Sequence, residues 1–498
     1  EPFGLVVNGR LYAQYTPIFA YVSSFPYRWL GNRGLFLLPM LGGVLTIAAA
    51  WCLAQRLSRS RAAPPLSAIV VGLATPVWFY SHTFWEITSA VCLTTWSVVL
   101  VLDYLNRRNV KPLLGAALCC SGAVYFRDEL YALAAILTAL VFFYGGRSWR
   151  RGILFVAVIT VALVPLWLFQ WRFLDRPLGH HFSAYSPIAA GWMAHVAERW
   201  KVFRNLFINS HESLWLSVVL SAPYIALFVT GFRFRDRVLR WLVPLGAGLA
   251  AIGALIILEG HQSTERPAWW LLSSSSLFAV SPILILACVR AKRDEGDAGE
   301  GPQHQQNARN RTVVWLTALL YAAAYAMFAP ERNTWGIHWG CRFLMPVYPL
   351  LGVLASVTLA EWWGTSPDRR FFRKTLLTGV VGLSVLMQIY SVCLLYQRKL
   401  FSADLNRVVA SQPEPVIVAQ GWFVPQELSH TFYDKPAFMI RSTQQIEPLL
   451  AMLRRAGYER AVYVAATPTP SEERAGCLIL ADTLGFLYFE IRSIELVP

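Results

Sequence analysis

Residues 86–147 read EITSAVCLTTWSVVLVLDYLNRRNVKPLLGAALCCSGAVYFRDELYALAAILTALVFFYGGR. Three apolar runs stand in this stretch, near 86–104, 112–126 and 130–144. What separates them decides the fold. Arg107, Arg108 and Lys111 follow the first run, the mixed cluster Arg127, Asp128 and Glu129 follows the second, and Arg147 follows the third. Apolar runs of roughly 17–25 residues cross a bilayer. Shorter ones are tolerated where they are buried against protein or line a cavity. Basic residues collected in alternate loops mark one side of the membrane.

Extending the reading outward gives further runs near 34–55, 65–80, 152–171, 214–232, 241–258, 271–289, 312–328, 343–361 and 375–396. The basic groups keep their alternation throughout. Arg56, Arg59 and Arg61 form one group, Arg147, Arg150 and Arg151 another, and Arg233, Arg235, Arg237 and Arg240 a third. Lys292, Arg293, Arg309 and Arg311 follow, then Arg369, Arg370, Arg373 and Lys374. One misplaced span would break the pattern, so a membrane all-α, polytopic helix bundle of about twelve transmembrane helices is expected. The polar start at Glu1 makes one more helix expected upstream. The loops at 1–33, 81–86, 127–129, 172–213, 259–270 and 329–342, and everything after about 397, then fall on the extracytoplasmic side.

Composition agrees. The 498 residues are 56% hydrophobic and only 15% charged, against about 25% charged in soluble domains. The 20 tryptophans, 20 tyrosines and 29 phenylalanines suit side chains anchored at headgroup level. The net charge of +15 would point to nucleic acid in a soluble chain, but here it sits in short loops and is topological, so no nucleic-acid partner is expected. Six of the eight cysteines, Cys52, Cys92, Cys119, Cys120, Cys288 and Cys393, lie in apolar segments. Neither a CxxC nor a metal-ligand spacing occurs, so no disulfide framework or zinc site is indicated.

Two segments stand outside the bundle. In residues 188–208, Ile188, Trp192, Val196, Trp200, Phe203 and Phe207 share one helical face, while His195, Glu198, Arg199, Lys201 and Arg204 share the other. That pattern predicts a helix lying in the membrane interface. Residues 290–311, RAKRDEGDAGEGPQHQQNARNR, read as a disordered linker. After 397 the pattern changes to short β-like runs at 415–419, 437–440 and 461–466, an amphipathic helix before Gly457, and a last strand in 487–497. A βαβ pattern of this kind divides the chain into a 1–396 transmembrane domain and a 397–498 small soluble α/β extracytoplasmic domain. The latter has no glycine-rich phosphate loop, and its expected role is structural or in acceptor binding.

Four outward-facing clusters could carry chemistry. In residues 8–31, NGRLYAQYTPIFAYVSSFPYRWLG, Tyr12 and Tyr15 are candidates to line a cleft. In 75–86, TPVWFYSHTFWE, His82 and Glu86 sit at a hairpin, with Glu86 opening a helix whose dipole favours a carboxylate. In 125–131, YFRDELY, Arg127 is a candidate phosphate ligand, with an internal salt bridge to Asp128 or Glu129 as the alternative. In 333–352, NTWGIHWGCRFLMPVYPLLG, His338 and Arg342 are candidate phosphate ligands, and Trp335 and Trp339 candidate substrate-lining residues. Arginine's planar fork of donors fits phosphate oxygens, and the glycines let backbone approach a ligand closely.

With these stretches in view, the chain resembles the polyprenyl-phosphate-dependent glycosyltransferases of the membrane GT-C class, in particular the bacterial protein O-mannosyltransferases and aminoarabinose transferases. The resemblance rests on NGRLYAQYTPIFAYVSSFPYRWLG, on ATPVWFYSHTFWEITSA, and on WGIHWGCRFLMPVYPLL with its Gly-x-Arg-aromatic-Leu-x-Pro-x-x-Pro ending. It covers residues 1–396. It implies transfer of a sugar, with inversion, from a polyprenyl-phosphate donor to a glycan, lipid or protein acceptor. It further implies a multi-pass protein of the bacterial inner membrane, in contact with membrane lipids, whose active site faces outward. Some members use a divalent cation, Mg or Mn, and no other cofactor is implied. The family's first-loop carboxylate has no counterpart, because Glu1 is the only acid before Glu86. The base then lies upstream of residue 1, or Glu86, Asp128 or Glu129 takes its place, or the chain is inactive. Two other readings compete. A transporter or flippase of lipid-linked sugars would show internal repeats and charges at mid-membrane depth, and neither is visible. A non-catalytic membrane scaffold would use Arg342 and Glu86 for stability only.

Overall fold

A computed structural model of the chain describes residues 4–7, 10–13, 17–146, 149–175, 192–208, 276–288, 302–328, 339–363, 370–421, 424–428, 431, 434–440, 443–467, 477–481 and 488–496. The chain divides into two compact units. Among the described residues the first runs to 391 and the second begins at 392.

Helices dominate the first unit. Among the described residues, five stretches are long and apolar enough to cross a membrane: Asn32–Leu57, Ile87–Arg107, Trp149–Leu174, Pro302–Phe328 and Thr378–Ser411. The window of Ile87–Arg107 is 78% buried inside the protein, but that of Trp149–Leu174 only 28%. An apolar helix left that bare needs lipid around it. The chain is thus a multi-pass membrane protein. The expected spans at 214–232 and 241–258 lie outside the described residues.

Close packing centres on Ile87–Arg107, which lies against the helices Leu37–Leu57 and Val110–Phe126. A Cβ added at Gly42 would sit 2.8 Å from the backbone nitrogen of Ser89. Helices can meet this closely only through small residues. Side chains then seal the contact: Thr88 Oγ1 donates to Pro39 O at 2.9 Å and Trp96 Nε1 to Leu45 O at 3.1 Å.

One end of the bundle is tied by arginines. Arg56 forms a two-pronged pair with Asp103, 2.7 Å on each prong. Arg311 Nε donates to Leu57 O at 2.9 Å, and its guanidinium pairs with Glu361. Arg309 donates to Leu105 O and Asn106 Oδ1, and Arg108 to Tyr144 O. These carbonyls belong to helix C-termini, whose last acceptors lack helical partners and carry partial negative charge. The basic groups read from sequence as side markers therefore also cap helices, and their meeting at one end matches the alternation of the loops.

Several segments differ from the sequence reading. The stretch expected as a disordered linker is helical from Pro302, within the helix Pro302–Phe328. Its polar start is held because Asn310 is buried and donates to Arg56 O at 3.0 Å. The segment expected as a loop at 1–33 contains a hairpin, β1 (Gly4–Val7) paired antiparallel with β2 (Arg10–Ala13), followed by the helix Ile18–Leu30. The span expected at 65–80 is broken into Ala63–Leu73 and Val77–Ser81, with Pro76 opening the second piece. The described part of the 271–289 span is a short helix, Leu277–Val280, and a 3₁₀ turn, Pro282–Cys288. Proline lacks the N–H that a continuing helix requires, which explains both breaks.

The helix expected at 188–208 is present over Trp192–Phe203, continued by a wider turn to Ile208. Trp200 and Phe203 are exposed and stacked, with ring centroids 5.8 Å apart, while Val202 and Leu206 are buried. Arg199 differs from the expectation of a solvated polar face. It donates to Ala326 O and Met327 O, capping the end of Pro302–Phe328.

The helix Arg370–Ser411 continues well past 396. Its last turns belong to the second unit, a five-stranded sheet of order β4-β3-β5-β7-β6. Strands β3 (Ile417–Gln420), β4 (Ala437–Ile440) and β5 (Arg460–Thr467) are parallel. Strands β7 (Tyr488–Glu495) and β6 (Cys477–Ala481) are added antiparallel. The expected βαβ order holds, and β6 is a strand the sequence reading lacks. Alternation along the strands loads both faces of the sheet. Ile417, Ala419, Val462 and Val464 pack with Phe401, Leu405 and Val409 of the long helix. Val416, Val418, Ala461 and Tyr463 pack with Leu450 and Leu453 of the helix Ile446–Arg455.

Candidate functional site

Three segments of the first unit converge at the ends of helices. Glu86 directly precedes Ile87–Arg107. Arg127 ends Val110–Phe126 by turning extended, and Asp128–Leu130 follow as a 3₁₀ turn before the helix Tyr131–Tyr144. Arg342–Leu344 form a second 3₁₀ turn, ahead of the helix Val347–Trp363.

The turn at 127–130 is pinned on both sides to the helix Trp149–Leu174. Tyr125 donates its hydroxyl to Ala162 O at 2.9 Å, and Trp167 Nε1 donates to Tyr131 Oη at 2.7 Å. Arg127 is then held between two carboxylates. Its Nη1 donates to Glu86 Oε1 at 3.0 Å and its Nε to Glu129 Oε1. All three side chains are at least nine-tenths buried. Asp128 is buried as well. A buried ion pair carries a desolvation cost that only good geometry and further hydrogen bonds offset. One guanidinium serving two acids is such a geometry.

Arg342 is held differently. The turn before it needs Gly340, whose φ is +64° and whose added Cβ would lie 2.7 Å from Tyr348 Oη. The left-handed backbone and the close packing each favour glycine there. Backbone anchors fix the segment: Cys341 N–H donates to Tyr348 Oη and Tyr321 Oη–H to Phe343 O, each at 3.1 Å. Trp339 is fully buried and donates to Gln388 Oε1, while Gln388 Nε2 donates to Val280 O at 2.6 Å. The half-buried guanidinium of Arg342 lies against two rings, its Cζ 4.7 Å from the centroid of Phe343 and 5.2 Å from that of Trp85. Its Nε is buried, and the side chain makes no hydrogen bond or ion pair with any described residue. Stacking holds a guanidinium by its faces and leaves the N–H groups in its plane for an acceptor.

The two arginines share Phe343, since Arg127 Cζ is 5.1 Å from the same ring. Both line one cleft with Glu129, Leu130, Tyr321 and Met345. The structure therefore brings Glu86, Arg127, Asp128, Glu129 and Arg342 to one end of the bundle. His82 stands on the same hairpin as Glu86, half-buried, with Nδ1 2.9 Å from Trp78 O. Tyr12 lies in β2, opposite Leu5. Tyr15, Trp335 and His338 lie outside the described residues. Trp85, Phe343, Tyr321, Tyr348 and Gln388 are additions to the sequence reading. Trp85 and Phe343 adjoin charged residues already singled out; the other three carry no signal that distinguishes them from ordinary helix residues.

The described residues do not by themselves make a divalent-cation site. Among the described residues no three His, Cys, Asp or Glu side chains come together as a metal would require. Glu86 and Glu129 are both engaged by Arg127.

No family model matches the chain, and no curated relative matches it either. Among solved structures, ArnT from Cupriavidus metallidurans, described as bound to undecaprenyl phosphate, matches over 100% of this chain and 90% of that chain, at 16% identity and a TM-score of 0.41. Sequence identity and score at this level assign neither an activity nor a ligand.

Proposed function

We propose that this protein is a membrane glycosyltransferase of the GT-C type, which moves a sugar from a polyprenyl-phosphate donor to an extracytoplasmic acceptor with inversion. The observation that carries the reading is Arg342: a cation aimed by Gly340 and the two tyrosine anchors, stacked between Trp85 and Phe343, with no acceptor among the described residues. A buried donor without a partner is costly, and a phosphate oxygen is the acceptor that a guanidinium fits best. The cleft lining is also apolar at Ile87, Ala90, Val91 and Pro346, which suits a lipid-linked phosphate better than a free one.

In the reaction, the acceptor oxygen attacks the anomeric carbon from the face opposite the phosphate. The bond from that carbon to the phosphate oxygen breaks, and polyprenyl phosphate leaves. A carboxylate takes the acceptor's proton. Charge grows on the departing phosphate, so a cation fixed beforehand stabilises the transition state more than the ground state. Arg342 has that role. Glu86, Asp128 and Glu129 are the base candidates of the cluster, and two of them bind Arg127. The soluble sheet domain at 397–498 is assigned to structure or to acceptor binding on the same outer side.

The test is direct. Purified protein in mild detergent is titrated with undecaprenyl phosphate by native mass spectrometry, against ordinary phospholipid, for wild type and Arg342→Ala. Preferential binding that is weakened ten-fold or more in the variant supports the donor site and justifies a sugar-by-sugar transfer assay. A folded wild type with no preference for the lipid phosphate removes the donor assignment and favours the scaffold.

A further inference from the structure

Arg127 and Arg342 look alike in sequence, each an arginine next to aromatic and acidic or glycine-rich neighbours. Their surroundings differ in charge. Arg127 has Glu86 on one nitrogen and Glu129 on another. Arg342 has rings on its faces and no carboxylate partner among the described residues. Yet the two guanidinium groups lie on one Phe343 ring, 5.1 and 4.7 Å from its centroid. Glu129 and Arg342 line the same cleft, and Arg342 is near enough to Glu86 to attract its carboxylate.

We infer that Arg127 is a positioning residue: by occupying Glu86 and Glu129 together, it keeps both carboxylates off Arg342 and so leaves that guanidinium open to its anion. This rests on the reading of Arg342 as the anion site. It departs from the sequence expectation that Arg127 itself holds phosphate.

The physics is a competition between acceptors. A buried carboxylate without a partner is strongly disfavoured. Remove Arg127, and Glu86 and Glu129 take the nearest cation, Arg342. A phosphate would then have to displace an internal carboxylate before it could bind. Lysine cannot substitute, because its single ammonium lacks the planar fork that reaches two acids at once. The turn that bears Arg127 is built for a fixed task of this kind. Tyr125 and Tyr131, two residues before and four after Arg127, both tie it to the helix Trp149–Leu174. Asp128, between the two partners in sequence, has interactions of its own and is left in place in every variant below.

The experiment measures undecaprenyl phosphate binding by native mass spectrometry for wild type, Arg342→Ala, Arg127→Gln and the triple replacement R127Q/E86Q/E129Q. Binding does not depend on the sugar, the acceptor or turnover. The expected result is a loss of ten-fold or more in Arg127→Gln and recovery in the triple variant to within three-fold of wild type or tighter, because the competing acids are gone. A scaffolding arginine or a direct phosphate ligand would not be rescued by deleting carboxylates. Should Arg127→Gln fail to fold, the triple variant decides alone, since it holds neither the cation nor the two acids it serves. A folded triple variant that binds ten-fold more weakly than wild type overturns the inference, as does an Arg127→Gln variant that binds like wild type. Failure of the underlying site reading looks different: Arg342→Ala then binds as wild type does.

Discussion

The two ends of the helix bundle use arginine for opposite purposes. At one end Arg56, Arg108, Arg309 and Arg311 each find a carboxylate or the last carbonyls of a helix. Their charge is spent on architecture, and what remains is a stitched rim. At the other end Arg127 is spent in the same way, on Glu86 and Glu129, but Arg342 is kept back. Everything around Arg342 fixes its backbone or its faces, and nothing described takes its N–H groups. The same residue type is therefore a fastener where an acceptor is built in and, under the proposed function, a binding group where one is withheld. The local acceptor inventory distinguishes the two, and residue identity does not.

The sharpest way to break that contrast is to delete the withheld cation. Arg342→Ala is expected to lower sugar transfer by roughly 100-fold or more, the scale for losing one preorganised charge stabiliser in a transition state. Its melting temperature in detergent should change little, because no described hydrogen bond or ion pair is lost. Transfer rates and thermal unfolding of the same preparation separate the two effects. A large drop in melting temperature with unchanged turnover per folded molecule would make Arg342 a fastener like the others.

The complementary change is at the stitched end. Arg311→Ala leaves Leu57 O without its donor and Glu361 without its cation. The expected cost is about 1–3 kcal/mol, the range for an unmet hydrogen-bonding group that is partly buried. Lipid-phosphate binding per folded molecule should stay within two-fold of wild type. Loss of binding here without loss of stability would mean that the two ends are not functionally distinct.

How much of this was readable in advance follows the range of the interactions. The multi-pass helical character was legible, because hydropathy is local and repeats along the chain. The unusual setting of Arg342 was legible too, flagged by glycines and aromatics within a few positions. The helical start at 302–311 was not: its polar composition reads as linker, and only burial of Asn310 against Arg56 O explains it. The hairpin β1–β2 had a signal that went unused, Asn8-Gly9 between two short strands, a common two-residue hairpin sequence. Strand β6 had one too, the run CLILA. The capture of Arg127 by Glu86 could not be seen, since the partners are 41 residues apart and no spacing rule links them. A sequence shows which charges exist; which of them cancel is decided by helix packing.

A smaller effect is expected from the anchors. Tyr131→Phe removes the acceptor of Trp167 Nε1–H and should cost about 1 kcal/mol, the net worth of one hydrogen bond. Because Tyr125 still holds the same turn, lipid-phosphate binding should weaken by no more than about three-fold. Joint replacement of Tyr125 and Tyr131 by phenylalanine should lose more binding than the two single changes combined, since two anchors on one turn are coupled. Simple additivity would mean that each anchors only itself.

The smallest effect is expected in the sheet domain. Arg460 and Glu495 face each other across β5 and β7, 3.5 Å apart, with side chains 61% and 65% exposed. Water already satisfies both groups, so an exposed pair of this kind is worth only about 0–1 kcal/mol. Arg460→Ala should therefore shift stability by less than about 0.5 kcal/mol, as surface substitutions away from special features do, and leave binding untouched. Raising the salt concentration should erase even that, because screening acts most on exposed charges. The pair is thus the reference point for the contrast between the bundle ends: an ion pair in plain view, at comparable separation, with neither the desolvation that makes Arg127 and its acids interdependent nor the missing acceptor that leaves Arg342 open. If Arg460→Ala instead costs as much as Arg311→Ala, then burial is not what sets the value of an arginine in this protein, and the argument that singles out Arg342 by its surroundings loses its footing.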